Sequence, residues 1–88
     1  MNLLHQRLAE VSGDPNLLFF DGFDEAVIGI SHVFGTVPRV AYDIDRMLAI
    51  LRERNSVDAD GAAALFDANF ARLNVGPYTP ALVLPFKA

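Results

Sequence analysis

Apolar positions recur at helical spacing in three parts of the chain. Residues 2–11 are predicted to form a short N-terminal helix, or alternatively an arm that orders only on a partner. A second helix is predicted from an N-cap at Asp43 to about Arg54. Its apolar residues repeat at i, i+3, i+4 and i+7, at Ile44, Met47, Leu48 and Leu51.

The third helix is predicted to follow the second almost directly. Asn55 suits the left-handed C-cap position of the second helix, and Ser56 is expected to be the N-cap of the third. One side of the third helix carries Ala62, Leu65, Phe66, Asn69, Phe70 and Leu73. Because the join is short, the two helices are predicted to form an antiparallel hairpin.

Four short segments have the composition of β-strands, and they complete the predicted fold. Residues 17–20, 26–34, 39–42 and 81–84 are mostly apolar or β-branched and are bounded by turn residues. Strict alternation over 26–34 would place Ile28, Ile30, His32 and Phe34 on one face and Val27, Gly29, Ser31 and Val33 on the other. We therefore expect a single α+β domain, residues 1–88. In it, a small, mostly antiparallel sheet packs against an antiparallel helix pair, preceded by a short N-terminal helix.

Composition and charge narrow the classes of function. Hydrophobic residues make up 52% of the 88 residues, more than a small domain readily hides, which favours a homodimer or another partner. The net charge of −4 and the lack of a basic stripe argue against nucleic-acid binding. The N-terminus does not have the pattern of a signal peptide, and no apolar run is long enough to span a membrane. The chain has no cysteine, which excludes disulfides and thiolate chemistry and is compatible with the cytosol.

The segment VGPYTP, residues 75–80, combines a glycine and two prolines with a tyrosine and a threonine. Its composition predicts a rigid turn between the third helix and the last strand. Asn69 interrupts the apolar side of that helix, and a buried amide needs hydrogen-bond partners. We therefore expect Asn69 to hold the VGPYTP turn by bonding its backbone, with help from Thr79.

Several polar residues have ordinary structural explanations. Asp21 and Asp24 flank Gly22 and Phe23 in a predicted turn, where aspartates bond nearby backbone groups. Asp43 is explained as a helix cap, and Tyr42 is expected in the core, where its hydroxyl needs a partner. The alternative for Asp21, Asp24 and His32 is a metal-assisted catalytic group. No complete catalytic set is visible, so we expect no enzyme, no cofactor and no metal.

Three segments together resemble a family of small proteins encoded by many tailed phages, whose function is unknown. They are Asp21–Ile30 (DGFDEAVIGI), Ala41–Leu48 (AYDIDRML) and Phe66–Val83 (FDANFARLNVGPYTPALV). The family's recurrent polar residues fall on Asp21, Asp24, Tyr42, Asp43, Asn69 and Thr79. This chain departs from the family at Pro77, where an acidic residue is usual, at Arg72, where glycine is usual, and at 61–64, where the family has more glutamates. The resemblance implies a phage or prophage gene product and implies no reaction.

The favoured hypothesis is an interaction protein that acts in the host cytoplasm by binding and modulating a host protein, in host takeover or counter-defence. The chain is small, it is rich in apolar residues, and its basic residues are almost all arginines, which suits such a role. The expected contact residues are Arg39, Arg72, Pro77, Tyr78 and Thr79.

Two alternatives to this hypothesis remain open. One is a sponge for a small molecule or nucleotide signal, in which Tyr78 stacks on the ligand and Arg39, Arg46 or Arg72 contacts phosphate. The other is a minor structural protein of the phage particle.

Overall fold

A three-stranded sheet and a pair of packed helices form the molecule, which the computed structural model describes over residues 2–86. The helices are α1 (Leu3–Ser12), α2 (Ile44–Asn55) and α3 (Ala59–Asn69), and the strands are β1 (Val27–Ser31), β2 (Arg39–Asp43) and β3 (Ala81–Val83). One turn of 3-10 helix, Asp24–Ala26, leads into β1. The predicted α+β class, with its helix pair and short N-terminal helix, is confirmed.

Strand β2 lies at the centre of the sheet and pairs differently with its two neighbours. Strand β1 runs antiparallel to β2, whereas β3 runs parallel to it, with Ala41 opposite Ala81. Two parallel strands need a long crossover connection, which α2 and α3 provide here. As a result, the chain enters β2 and β3 from the same end of the sheet.

The predicted strand over 17–20 is wrong, because this segment pairs with no strand. Its apolar residues instead enter the core, where Leu17 and Phe20 are buried. The backbone N–H of Phe20 donates to the Tyr42 hydroxyl at 2.8 Å. This side chain takes the place of the carbonyl that a neighbouring strand would provide in a sheet. The segment therefore satisfies its apolar and backbone groups without joining the sheet.

The predicted strand over 26–34 is shorter than expected, and its alternation is interrupted by a β-bulge. The register of β1 against β2 shifts between Val27 and Gly29, so Ile28 is an extra residue and is 51% exposed. Val27 and Ile30 both pack against the core as a result. Gly29 has φ 151°, a conformation that only glycine adopts readily, and this permits the bulge.

The boundary between α2 and α3 differs from the predicted one by one to two residues. Asp43 caps α2 as expected, accepting from the Arg46 N–H at 3.2 Å. The left-handed residue after α2 is Ser56, at φ 52°, and not Asn55, whose side-chain amide donates to the Leu51 carbonyl. The N-cap of α3 is Asp58 and not Ser56, because the Asp58 carboxylate accepts from the Gly61 N–H at 2.8 Å.

The core lies between the sheet and the two long helices. Its buried residues are Leu17, Phe20, Phe23, Ala26, Val40, Tyr42, Met47, Leu51, Ala62 and Phe66. Tyr42 is in the core as expected, and its hydroxyl has the predicted partner, the Phe20 N–H. Burial raises the pKa of the Tyr42 phenol, so this hydroxyl stays neutral over the physiological range.

Candidate functional site

Two loops lie at the same end of the sheet because β2 and β3 are parallel. One loop, residues 32–38, leads into β2 at Arg39, and the other, residues 70–80, leads into β3 at Ala81. The beginning of the second loop lies elsewhere, because Phe70 packs against Phe20 and Phe23 near the other end of β1. We therefore refer to residues 32–39 and 75–80 as the loop end of the molecule. The fold thereby brings four of the expected contact residues, Arg39, Pro77, Tyr78 and Thr79, to one end of the sheet, and Arg72 lies in the same loop as the last three.

A phenylalanine stands free in solvent in the 32–38 loop. Phe34 has a relative exposure of 101%, and its neighbour Val33 is also exposed. The turn beneath them is held by Thr36, whose backbone N–H and side-chain hydroxyl both donate to the Val33 carbonyl, at 3.0 and 2.8 Å. The large apolar side chain is thus presented on a hydrogen-bonded turn.

Sequence reasoning missed Phe34 as a surface residue. It placed Phe34 on a strand face with Ile30, but β1 ends at Ser31 and the chain then turns. The signal that was available is the turn sequence Gly35–Pro38, which begins immediately after Phe34. An aromatic residue next to a turn sequence is as consistent with an exposed hairpin tip as with a strand.

The VGPYTP turn is held mainly by Thr79. The Thr79 hydroxyl accepts from the Val75 N–H at 2.8 Å and donates to the Gly76 carbonyl at 2.7 Å. The Thr79 backbone N–H donates to the same carbonyl at 3.2 Å. The predicted help from Thr79 is therefore confirmed, and a single side chain joins both sides of the turn.

Replacing Thr79 with valine is expected to loosen this turn. The change keeps the branched shape but removes the hydroxyl, which leaves the Val75 N–H to water, while the Gly76 carbonyl keeps the bond from the Thr79 backbone N–H. We expect a loss of about 0.5–1.5 kcal/mol in the free energy of unfolding, the usual net value of such bonds. Urea denaturation measures it, and amide exchange at Val75 should accelerate. Thr79→Ser, which keeps the hydroxyl, is the matched control; equal losses in both variants would contradict this role of the hydroxyl.

Asn69 does not hold the VGPYTP turn, so that prediction is wrong. Asn69 is exposed, and its side-chain amide donates to the Leu65 carbonyl at 2.9 Å, one turn back in α3. Helix α3 ends at this residue. The partner of the amide is thus a carbonyl of its own helix and not the backbone of the VGPYTP turn.

Tyr78 connects the loop end to the segment that follows α1. Its hydroxyl donates to the Asp14 carboxylate at 2.6 Å, and its ring is partly buried against the core. This bond holds the pKa of the Asp14 carboxyl below its usual value and raises the pKa of the Tyr78 phenol. Tyr78 was expected to be a contact residue, and this bond gives it a structural role as well.

The loop end carries no acidic residue, although the protein as a whole is acidic. It contains Arg39 but no aspartate or glutamate, whereas the whole chain has a net charge of −4. Arg72, which was expected to belong to the same contact surface, lies beside the end of α3. Arg39 is half-buried at the start of β2, and Arg72 is exposed just after α3. Within residues 2–86, neither guanidinium has a hydrogen-bond or ion-pair partner. Both charges are thus available to a binding partner.

Asp24 lies at the opposite end of β1, in a small polar cluster that fixes the start of α1. Its carboxylate accepts from the Asn2 amide at 2.6 Å and lies 2.7 Å from the His5 ring nitrogen. The His5 ring stacks on Phe19 with 3.7 Å between ring centroids. Asp21, expected beside Asp24 as a turn residue, lies in an exposed turn of its own.

The bond from Asn2, and after it the bond from His5, holds the pKa of Asp24 below its ordinary value of 3.8. A carboxyl whose pKa is lower in the folded state than in the unfolded state stabilises the fold at any pH above its unfolded-state pKa. This stabilisation is lost as the pH falls through the folded-state pKa. We expect Asn2→Ala to raise the Asp24 pKa toward 3.8 and to reduce the loss of stability below about pH 4. A carboxyl titration by NMR measures the pKa, with Asn16→Ala as the control; an unchanged Asp24 titration in Asn2→Ala would contradict the assignment.

The structure does not bring together the residues of the catalytic alternative. Asp24 precedes β1 and His32 follows it, and the five residues of β1 at about 3.3 Å each separate them by roughly 16 Å. Within residues 2–86 no three histidine or acidic side chains are grouped so that they could hold a metal ion.

Comparisons with known proteins identify no relative. No protein-family model matches the chain, and no curated protein or solved structure matches it. In the described part of the chain, no helix is long and apolar enough to cross a bilayer.

Proposed function

We propose that this chain is a small phage-encoded interaction protein that binds and modulates a host protein in the host cytoplasm through its loop end. The observation that carries the proposal is Phe34, a fully exposed aromatic residue on a hydrogen-bonded turn. The resemblance to tailed-phage proteins supports the phage setting, and a role in host takeover or counter-defence fits it.

An exposed phenylalanine on a fixed turn suits binding better than it suits folding. Nothing in the fold is stabilised by Phe34, because all of its apolar surface remains in water. The hydrogen bonds to Thr36 hold the turn, so little backbone freedom is lost when Phe34 enters a pocket on a partner. Buried aromatic anchors of this kind dominate the affinity of many protein interfaces.

Other exposed residues at the loop end extend the proposed contact surface around Phe34. Val33 and Val75 add exposed apolar area at the same end, and Arg39 adds unpaired positive charge. Aromatic and arginine side chains are the types that interfaces favour over the rest of the surface. The other expected contact residues, Pro77, Tyr78 and Thr79, belong to the hydrogen-bonded turn that leads into β3 at this end of the sheet.

Affinity capture from a bacterial lysate tests the proposal, with two phenylalanine variants as a matched pair. Phe86 is 90% exposed and follows β3, at the end of the sheet opposite the loop end. Wild type and Phe86→Ala should capture the same host protein in stoichiometric amounts, and Phe34→Ala should not. Capture that is equal in all three proteins would overturn the assignment of the loop end.

A further inference from the structure

An open groove of about 430 Å³ lies toward the end of the molecule opposite the loop end. It runs between the 3-10 turn before β1 and the C-terminal half of α2, and its lining residues are Gly22, Asp24, Glu25, Ile50, Glu53 and Arg54. Ile50 packs against the core and gives the groove an apolar wall. A second, smaller groove of about 190 Å³ shares Glu25, Ile50 and Glu53 with the first and is also lined by Arg46 and Ala49.

The groove has two acidic side chains without partners. Arg54 is already occupied, because it donates to the Gly22 carbonyl and lies 5.0 Å from the centre of the Phe23 ring. Asp24 is held by Asn2 and His5, as described above. Within residues 2–86, Glu25 and Glu53 form neither a hydrogen bond nor an ion pair. The groove therefore presents an apolar wall and, with three carboxylates against one guanidinium in its lining, a net negative charge, and we call it the acidic groove.

We propose that the loop end of one copy docks in the acidic groove of a second copy. The two surfaces are complementary in charge and in polarity: the loop end offers a projecting Phe34 and an unpaired Arg39, and the groove offers Ile50 together with Glu25 and Glu53. The volume is sufficient for a phenylalanine side chain. Because the two surfaces are different patches of the chain, the association is head-to-tail and not two-fold symmetric.

This association also regulates the loop end. The inference rests on the proposed function, in that it takes the loop end to be a contact surface. Self-association covers the same Phe34 that contacts the host protein, so the two bindings exclude each other. The high apolar content of the sequence indicated a homodimer. In the proposed association, part of that apolar surface is buried in a head-to-tail contact between copies.

Sedimentation of the purified protein tests the inference without any host partner. We expect concentration-dependent association of the wild type below about 1 mM, the weak end of the measurable range. Association should weaken when NaCl is raised from about 0.05 M to about 0.5 M, because salt screens exposed charges. Phe34→Ala should weaken it by at least about tenfold, as expected for an anchor residue, and Phe86→Ala should leave it unchanged. A wild type that stays monomeric, or a Phe34→Ala variant that associates normally, overturns the inference but leaves the proposed host-protein binding untouched.

A mixing experiment distinguishes a head-to-tail contact from a symmetric one. The variant Phe34→Ala lacks the projecting group, and the double variant Glu25→Lys with Glu53→Lys lacks the acidic groove. Neither should associate alone, but their mixture should form a dimer and nothing larger, because one intact loop end meets one intact groove. Asp60→Lys with Asp67→Lys, which changes the charge equally on exposed positions of α3, should associate as the wild type does. A mixture that stays monomeric overturns the inference.

Discussion

Replacing Met47 with alanine is expected to lower the free energy of unfolding by about 2–5 kcal/mol, the usual range for truncating a buried side chain. Met47 is 0% exposed and belongs to the core cluster that also contains Val40, Tyr42 and Leu51. The substitution removes apolar contacts and leaves a cavity in a core that is small from the outset. Since small domains are stable by only about 5–15 kcal/mol, the variant should unfold at much lower urea concentration than the wild type.

Two controls separate the core effect from a general effect of substitution. Met47→Leu conserves volume, so it should cost less than about 1.5 kcal/mol. Leu3 lies in α1 and is 74% exposed, so Leu3→Ala should change stability by no more than about 0.5 kcal/mol. A Met47→Ala variant as stable as Leu3→Ala would mean that α2 does not pack against the sheet as described.

Replacing Phe34 with alanine is expected to weaken binding to the captured host protein by at least about 2 kcal/mol, or roughly thirtyfold. The expectation follows from the position of Phe34, since an aromatic side chain that projects from a rigid turn can bury its whole ring in a partner. The same substitution should leave the free energy of unfolding within about 0.5 kcal/mol of the wild type, because the ring makes no contribution to the core. Titration calorimetry and urea denaturation measure the two quantities.

The separation of these two effects is what identifies a contact residue. Met47→Ala should affect stability strongly, whereas Phe34→Ala should affect affinity and not stability. Phe86→Ala, the exposed control, should affect neither. Loss of binding through unfolding of Phe34→Ala would contradict the account, because it would place Phe34 in the fold.

Elements with a strong local signal could be predicted from the sequence. The apolar repeat from Ile44 to Leu51 and the cap at Asp43 define α2, and both are present. Tyr42 was placed in the core with its hydroxyl bonded, as the structure has it. For α2 the residues that determine the structure are neighbours in the chain. For Tyr42 the prediction followed from the chemistry of the side chain, and its partner, Phe20, could not be named from the sequence.

Elements that depend on distant contacts could not be predicted in the same way. The 17–20 segment has the composition of a strand, but whether it pairs depends on where Tyr42 and the neighbouring strands lie. The β-bulge at Ile28 depends on the register between β1 and β2, which alternation alone does not reveal. Ser56 and Asp58 are both good caps, and the choice between them depends on how α3 packs.

The candidate site was predicted in part. Arg39, Pro77, Tyr78 and Thr79 lie toward one end, but this proximity arises from the parallel pairing of β3 with β2, which the sequence pattern did not indicate. Phe34 was assigned to a strand, and its exposure became apparent only from the length of β1. The prediction that Asn69 holds the VGPYTP turn assumed that its side chain is buried. Asn69 is instead exposed at the last residue of α3.

Hydrogen–deuterium exchange on the complex with the captured host protein tests the central claim most directly, because it reports which backbone amides the partner covers. The account predicts slower exchange in residues 32–39 and 75–80, with little change along α3 or beyond β3. Protection of α3 or of the segment near Phe86, with residues 32–39 unchanged, would contradict the assignment of the loop end as the contact surface.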